Sequence, residues 1–145
     1  MTMLQAEAQH WPKPVRERSN IPASRLDALV VAALRASPVP LSAYAIADRL
    51  RDQGNRVVIP SIYRSLRRLS GAGVVEKVEM LSAYRIADGD KQLRLVCLAC
   101  CRTVAHPIPE LYDLLIASVQ RTEFEISKAA LEIAGRCADC GGQRE

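Results

Sequence analysis

Between Ser24 and Gly73 the apolar residues recur at every third or fourth position, the period of a helix buried on one face. Leu26, Leu29, Val30, Ala33 and Leu34 form the first such face, with Ser24 as candidate N-cap and Ser37-Pro38-Val39-Pro40 as the stop. A second helix is predicted from about Ser42 to Gln53: Ala43, Ile46, Ala47 and Leu50 point inward, Asp48, Arg49 and Arg51 outward, and Gly54-Asn55 closes it. After an extended Val57-Val58-Ile59, Pro60 opens a third helix at a position where its missing N–H costs nothing. Ile62, Leu66 and Leu69 should pack on the first two helices, while Ser61, Arg64, Ser65 and Arg68 share another stripe flanked by Tyr63 and Arg67. Past Gly71-Ala72-Gly73 the period drops to two, and Val74–Val78 and Ser82–Ile86 alternate in the manner of a hairpin.

Helix, helix, arginine-bearing helix and hairpin is the order of a winged helix-turn-helix. A stripe of Ser, Arg and Tyr suits a major groove. Arginine forks onto a guanine edge or a phosphate, serine bonds phosphate oxygens, and a tyrosine ring touches a thymine methyl. Ser61, Tyr63, Arg64, Arg67 and Arg68 are therefore candidate DNA-binding residues. The alternative is a plain three-helix bundle with an exposed basic face.

The remainder reads as a small α/β unit. Asp88-Gly89-Asp90 is a hinge, Leu93–Val96 and Thr103–Ala105 are strands, and Pro107-Ile108-Pro109 starts a helix with Leu111, Leu114, Leu115, Ser118 and Val119 on one face. Phe124-Glu125-Ile126 and Leu131-Glu132-Ile133 alternate as two further strands. Residues 1–20 show no periodicity and read as a flexible arm. The expected organisation is thus α+β: the arm at 1–20, a winged helix-turn-helix at 21–87 and a dimerisation unit at 88–145. A unit of this size makes a small core, so a second copy is the natural source of further burial, and two arginine helices would then face a palindrome.

Cysteine placement adds a metal. Cys97-Leu98-Ala99-Cys100 and Cys137-Ala138-Asp139-Cys140 are two CxxC pairs, and two thiolates three positions apart on a tight knuckle can face one ion. Two knuckles complete a tetrahedral zinc site with no open position, one zinc per chain, structural rather than catalytic. Disulfides would require an oxidising compartment, and Trp11, Pro12 and charged residues interrupt any apolar signal run near the N-terminus. A redox CxxC would open a helix, whereas Cys101-Arg102-Thr103-Val104 reads as strand.

Charge sharpens the first reading. The net charge is +4 over 145 residues; residues 1–90 hold 13 Lys/Arg against 9 Asp/Glu, and residues 91–145 hold 7 of each. Between Asp52 and Glu76 stand Arg56, Arg64, Arg67 and Arg68 without one acid, a surface suited to a polyanion. The 49% apolar share supports a core, no stretch approaches a membrane span, and the chain is expected to be cytoplasmic with no membrane partner. An enzyme is disfavoured: there is no open metal site, no Ser/His/Asp arrangement and no phosphate-cradling glycine loop.

From about Pro22 to Cys140 the chain resembles the ferric uptake regulator family of metalloregulators. The residues that carry the resemblance are Ser24-Arg25-Leu26, Pro60-Ser61-Ile62-Tyr63-Arg64-Ser65-Leu66 against the family's TVYRTL recognition helix, Val96-Cys97-Leu98-Ala99-Cys100, and Leu131-Glu132-Ile133-Ala134-Gly135-Arg136-Cys137. The resemblance implies a dimeric repressor with structural zinc, bound to palindromic operators in double-stranded DNA, with Arg25, Tyr63 and Arg64 near the DNA. It also exposes departures. The family's HHDH-type run falls on Lys91-Gln92-Leu93-Arg94, its FE pair on Tyr84-Arg85, and its later sensor ligands on Ala105, Tyr112 and Ala129. The glycine after the first CxxC is Cys101. Basic residues in that cleft oppose a divalent cation. The expectation is a regulator without the usual regulatory metal, its basic residues paired instead with Asp88, Asp90 or Glu110. The alternatives are a zinc- or iron-responsive regulator with unusual ligands around His106, Cys101 and nearby acids, and a zinc-stabilised protein-interaction adaptor.

Overall fold

The computed structural model describes residues 21–141, so the arm expected at 1–20 lies outside the described residues. Three helices come first: α1 (Ala23–Arg35), α2 (Ala43–Asp52) and α3 (Ile59–Gly71). A hairpin of β1 (Val75–Val78) and β2 (Ala83–Ile86) follows, turned by a 3-10 segment over Glu79–Leu81. Then come β3 (Gln92–Cys97), β4 (Thr103–Pro107), α4 (Pro109–Gln120) and β5 (Glu132–Gly135). This α+β order is a winged helix-turn-helix followed by a small sheet and one further helix. Among the described residues no helix is long and apolar enough to cross a membrane.

The inward faces read from the sequence are the faces that pack. Val30, Ile46, Leu50, Ile62 and Leu66 are almost fully enclosed, and Leu26, Leu34, Leu41, Ala47 and Val75 complete the cluster. Each such aliphatic side chain contributes about 1.5–3 kcal/mol by leaving water. Ser42 caps α2, its hydroxyl accepting the Ala45 N–H at 3.1 Å. Ser24 does not cap α1: the helix starts at Ala23 behind Pro22 and has no side-chain cap, which places Ser24 inside the first turn. Leu41 exchanges two backbone hydrogen bonds with Tyr84, at 2.9 and 2.8 Å, and so ties the loop between α1 and α2 to the wing.

The second sheet runs β4-β3-β5, antiparallel on one side and parallel on the other. Leu95 pairs with Val104 and with Ile133, so the three form one apolar row across the sheet, and all three are exposed in the single chain. The apolar face predicted on α4 is likewise uncovered, with Leu111, Leu114 and Leu115 open to solvent and no buried residue in the helix. The strand expected at Phe124–Ile126 is absent. Alternation alone does not make a strand: the segment follows a turn in which Glu123 takes a left-handed φ of 59°, and no ladder partner meets it among the described residues.

Candidate nucleic-acid interface and metal centre

The outward stripe of α3 is Tyr63, Arg64, Arg67 and Arg68, not the Ser-containing stripe that spacing suggested. Ser61 is only 6% exposed and Ser65 is fully enclosed. The reason lies on α1. Asp27 accepts the Ser65 hydroxyl at 2.5 Å and takes a two-pronged grip from Arg68, Nε at 3.1 Å and Nη2 at 2.7 Å. Those bonds hold Ser65 in the α1 contact, and Ser61 lies one turn earlier on the same enclosed face as Ile62, Leu66 and Leu69. The hydrogen bonds from Arg68, chiefly, hold the Asp27 carboxyl below its ordinary value. Ser61 accepts from Arg64 Nη2 at 3.0 Å, which steers that guanidinium along the helix. Arg25 on α1 and Tyr63 on α3 are exposed, Tyr63 by 46%. Arg51 of α2 closes the approach to α3 by donating through Nε and Nη2 to the Val57 carbonyl, at 3.3 and 3.2 Å. Asp27 is a structural anchor outside the set that periodicity picks out. Its signal was available, as an acid one turn N-terminal to the buried Val30.

The metal centre follows from sheet register. Because β3 and β5 are parallel, with Cys97 opposite Gly135, both knuckles leave the same end of the sheet. Cys97, Cys100, Cys137 and Cys140 bring their sulfurs within 4.8 Å of one another. The Cys100 and Cys137 sulfurs lie 3.8 Å apart. A tetrahedron with metal–sulfur bonds of about 2.3 Å has edges of about 3.8 Å, so the spacing fits a zinc ion. The Cys137 N–H donates to the Cys97 sulfur at 3.3 Å, and chiefly for that reason the Cys97 thiol is pulled down to about 6. Cys140 is pushed up to about 12, chiefly by the Cys137 thiol beside it. Four thiolates this close repel, and a divalent cation is the group that lets all of them ionise. Arg102 and Asp139 join the two knuckles at 2.7 Å. Among the described residues no second convergent His/Cys/Asp/Glu group is present.

A third feature lies between the wing and the sheet. A cleft of about 310 Å³ is lined by Lys77, Lys91, Gln92, Arg94, Tyr112 and Ala129, with Glu76 and Glu132 among its walls. Most of the positions where the sequence lacks sensor ligands therefore do converge. Lys91 pairs with Asp113 at 2.8 Å. Arg85 and Arg94 bond Asp88, as the sequence suggested, and also Glu76, which it did not. Glu76 stands directly opposite Arg85 in the hairpin register, a complementary pair readable once the hairpin is aligned.

The sequence model of the Ferric uptake regulator family matches residues 23–134. The ferric uptake regulation protein of Legionella pneumophila is 30% identical over 108 residues, covering 69% of this chain and 76% of the relative. A zinc uptake regulation protein of Mycobacterium tuberculosis is 26% identical over 102 residues, covering 68% of this chain and 78% of the relative. Among solved structures, a zinc uptake regulator complexed with zinc and DNA superposes with a TM-score of 0.73 at 22% identity, over 83% of each chain. Holo XcZur superposes with a TM-score of 0.71 at 24% identity, over 81% of this chain and 85% of its own. These two show a shared fold.

Cys101, where the family carries glycine, has a left-handed φ of 61° at the knuckle. That conformation costs a side-chain-bearing residue about 1–2 kcal/mol, of which glycine's greater unfolded-state freedom would return roughly half. Cys101→Gly should therefore raise stability by on the order of 0.5 kcal/mol in denaturant melting of the metal-loaded protein, with bound metal unchanged. A destabilised variant, or one with less metal, would show that the fifth thiol makes contacts that outweigh its backbone strain.

Proposed function

The chain belongs to the ferric uptake regulator family, and from that premise we propose that it is a cytoplasmic, dimeric transcription repressor. It would read palindromic operators through α3 and hold one structural zinc per chain, with no regulatory metal required. The family's members are transcription regulators rather than enzymes, and they bind DNA and metal. The single observation that carries the reading is the outward stripe of Tyr63, Arg64, Arg67 and Arg68 on the third helix of a winged helix-turn-helix. Tyr63 and Arg64 would touch base edges, Arg67 phosphates, and Arg25 the backbone from α1. Arg68 would act from its grip on Asp27 and set the pose of the helix. Ser61, enclosed, would aim Arg64.

The uncovered row Val104-Leu95-Ile133 and the bare face of α4 supply the apolar surface for a second copy, within the 88–145 unit that follows the 21–87 winged helix. Two copies related by a twofold axis present two α3 helices to a palindrome. Metal independence is supported by the cleft's composition, since lysine and arginine occupy the positions a regulatory cation would need.

Three outcomes test this reading. Elemental analysis of the purified protein should find about one zinc per chain; Cys97→Ser or Cys137→Ser should lose it together with the sheet's circular-dichroism signal and the dimer. A folded, zinc-free dimer would overturn the metal assignment.

In fluorescence anisotropy against a duplex enriched from a random pool, Tyr63→Ala and Arg64→Ala should each lose roughly 1–3 kcal/mol of discrimination over unrelated DNA. Arg67→Ala should weaken both duplexes alike, with a shallower salt dependence. Unchanged binding in all three variants at physiological salt would remove α3 from the interface.

Titrating Fe²⁺, Mn²⁺ or excess Zn²⁺ into zinc-replete protein should leave affinity for the enriched duplex unchanged. A ligand shifts an equilibrium only by its difference in affinity between two states, so a tightening of about tenfold, or ~1.4 kcal/mol, would reveal a sensor site.

A further inference from the structure

We propose that Arg94 is a positioning residue for DNA recognition: with Arg85, Glu76 and Asp88 it forms a closed ring of charge that fixes the winged helix at one angle to the metal-bearing sheet. The inference rests on the DNA-binding reading only for the activity measured.

The covalent connection between the two parts is short and compliant. Between β2 and β3 lie five residues, 87–91, with Gly89 at φ 124° and Lys91 at φ 55°. One strand of backbone with such torsions leaves the angle between its ends open. The ring closes it. Glu76 is on β1, Arg85 on β2, Asp88 in the connection and Arg94 on β3, so every part that meets at the hinge supplies one member. Arg85 Nη1 bonds Glu76 Oε1 at 2.6 Å and Asp88 Oδ1 at 2.8 Å. Arg94 Nη2 bonds the same two oxygens, Asp88 Oδ1 at 2.8 Å and Glu76 Oε1 more closely. Positive and negative atoms therefore alternate around four corners, and the ring is neutral.

Burial argues for geometry over stability. The Arg94 side chain is 9% exposed, against 23% for Arg85, 25% for Glu76 and 35% for Asp88. Taking a guanidinium this far from water is costly, and its Nη1 finds no partner among the described residues. Such a group contributes little net stability, but a displaced ring would leave charges enclosed and unpaired. The penalty falls on every angle but one. Asp88 is held down at about 2, first by the hydrogen bond from Arg85 and then by that from Arg94, so its carboxylate stays ionised at neutral pH. A second tie lies on the other side of the cleft: Glu132 of β5 accepts the N–H groups of Glu79 and Met80 in the wing, each at 2.8 Å. Two ties define an orientation, and cutting one leaves the other as a pivot.

The test uses zinc-loaded, full-length protein and two variants that cut the ring from opposite sides, Arg94→Met and Asp88→Asn. Each should bind the enriched duplex about tenfold more weakly or worse, the scale of a coupling lost between two parts, with affinity for unrelated DNA within about twofold of wild type. Zinc content, oligomeric mass and helical circular dichroism should not change, while small-angle scattering should broaden the distance distribution. A purely structural role would move the melting temperature and leave the distance distribution alone. Wild-type discrimination and wild-type scattering in both folded variants would overturn the proposal, as would Asp88→Asn behaving as wild type while Arg94→Met loses zinc and helix together. If the wild type enriches no duplex, the DNA-binding reading fails by itself, and the scattering comparison still decides the ring.

Discussion

Past Cys97 no described residue of the chain is buried. In the three-stranded sheet only Arg94, Val96 and Cys97 of β3 are buried and in the twelve-residue helix nothing is, and this scarcity governs the second half of the molecule. With a metal bound, four sulfurs at one end of the sheet would supply what side-chain packing does not, because a metal–thiolate tetrahedron is strong, directional and needs almost no volume. The parallel pairing of β3 with β5 is the step that makes this possible. An antiparallel β5 would carry its knuckle to the opposite end. The apolar residues that remain, on the sheet face and on α4, are exposed in the single chain and form the surface that the proposed dimer would cover.

The first half is organised the other way round, from a well-filled core outward. Ile62, Leu66 and Leu69 seat α3, and three polar contacts then refine its pose: Ser65 and Arg68 on Asp27, and Arg51 on the Val57 carbonyl. None of the three is needed for the helices to form. They pin side chains at the margins of α3, and on the proposed reading that precision would serve groove recognition.

Much of this was legible in the sequence, and the misses share a cause. The three-helix order, the wing, both knuckles and the inward faces follow from period and spacing, which are local. What escaped depends on neighbours far along the chain. Ser61 and Ser65 share a stripe with Arg64 and Arg68 by spacing, yet both are enclosed, and Ser65 meets Asp27, 38 positions earlier. Phe124–Ile126 has the alternation of a strand but meets no partner. Of the partners expected for the basic residues, Asp88 meets Arg85 and Arg94, whereas Lys91 takes Asp113 rather than Asp90 or Glu110, and the bond from Arg94 to Glu76 crosses the hinge, beyond the reach of hairpin alignment. Spacing found the cysteines because chelation itself imposes spacing.

The register of Cys97 against Gly135 also bears on the order in which the molecule is made. Each helix of the first half forms through contacts one turn apart, which form fast, and the 38-position closure of α3 onto α1 is rewarded at once by burial of the core. The metal centre joins Cys97 to Cys137 across forty positions, a loop whose closure is entropically expensive until something rewards it. On the ribosome, the basic helix is complete while the second knuckle has yet to be synthesised. On the proposed reading, nascent chains would carry a finished polyanion-binding face before they own the sheet that would pair and orient it, and the arrival of a metal ion would mark the passage from general affinity for nucleic acid to a specific one.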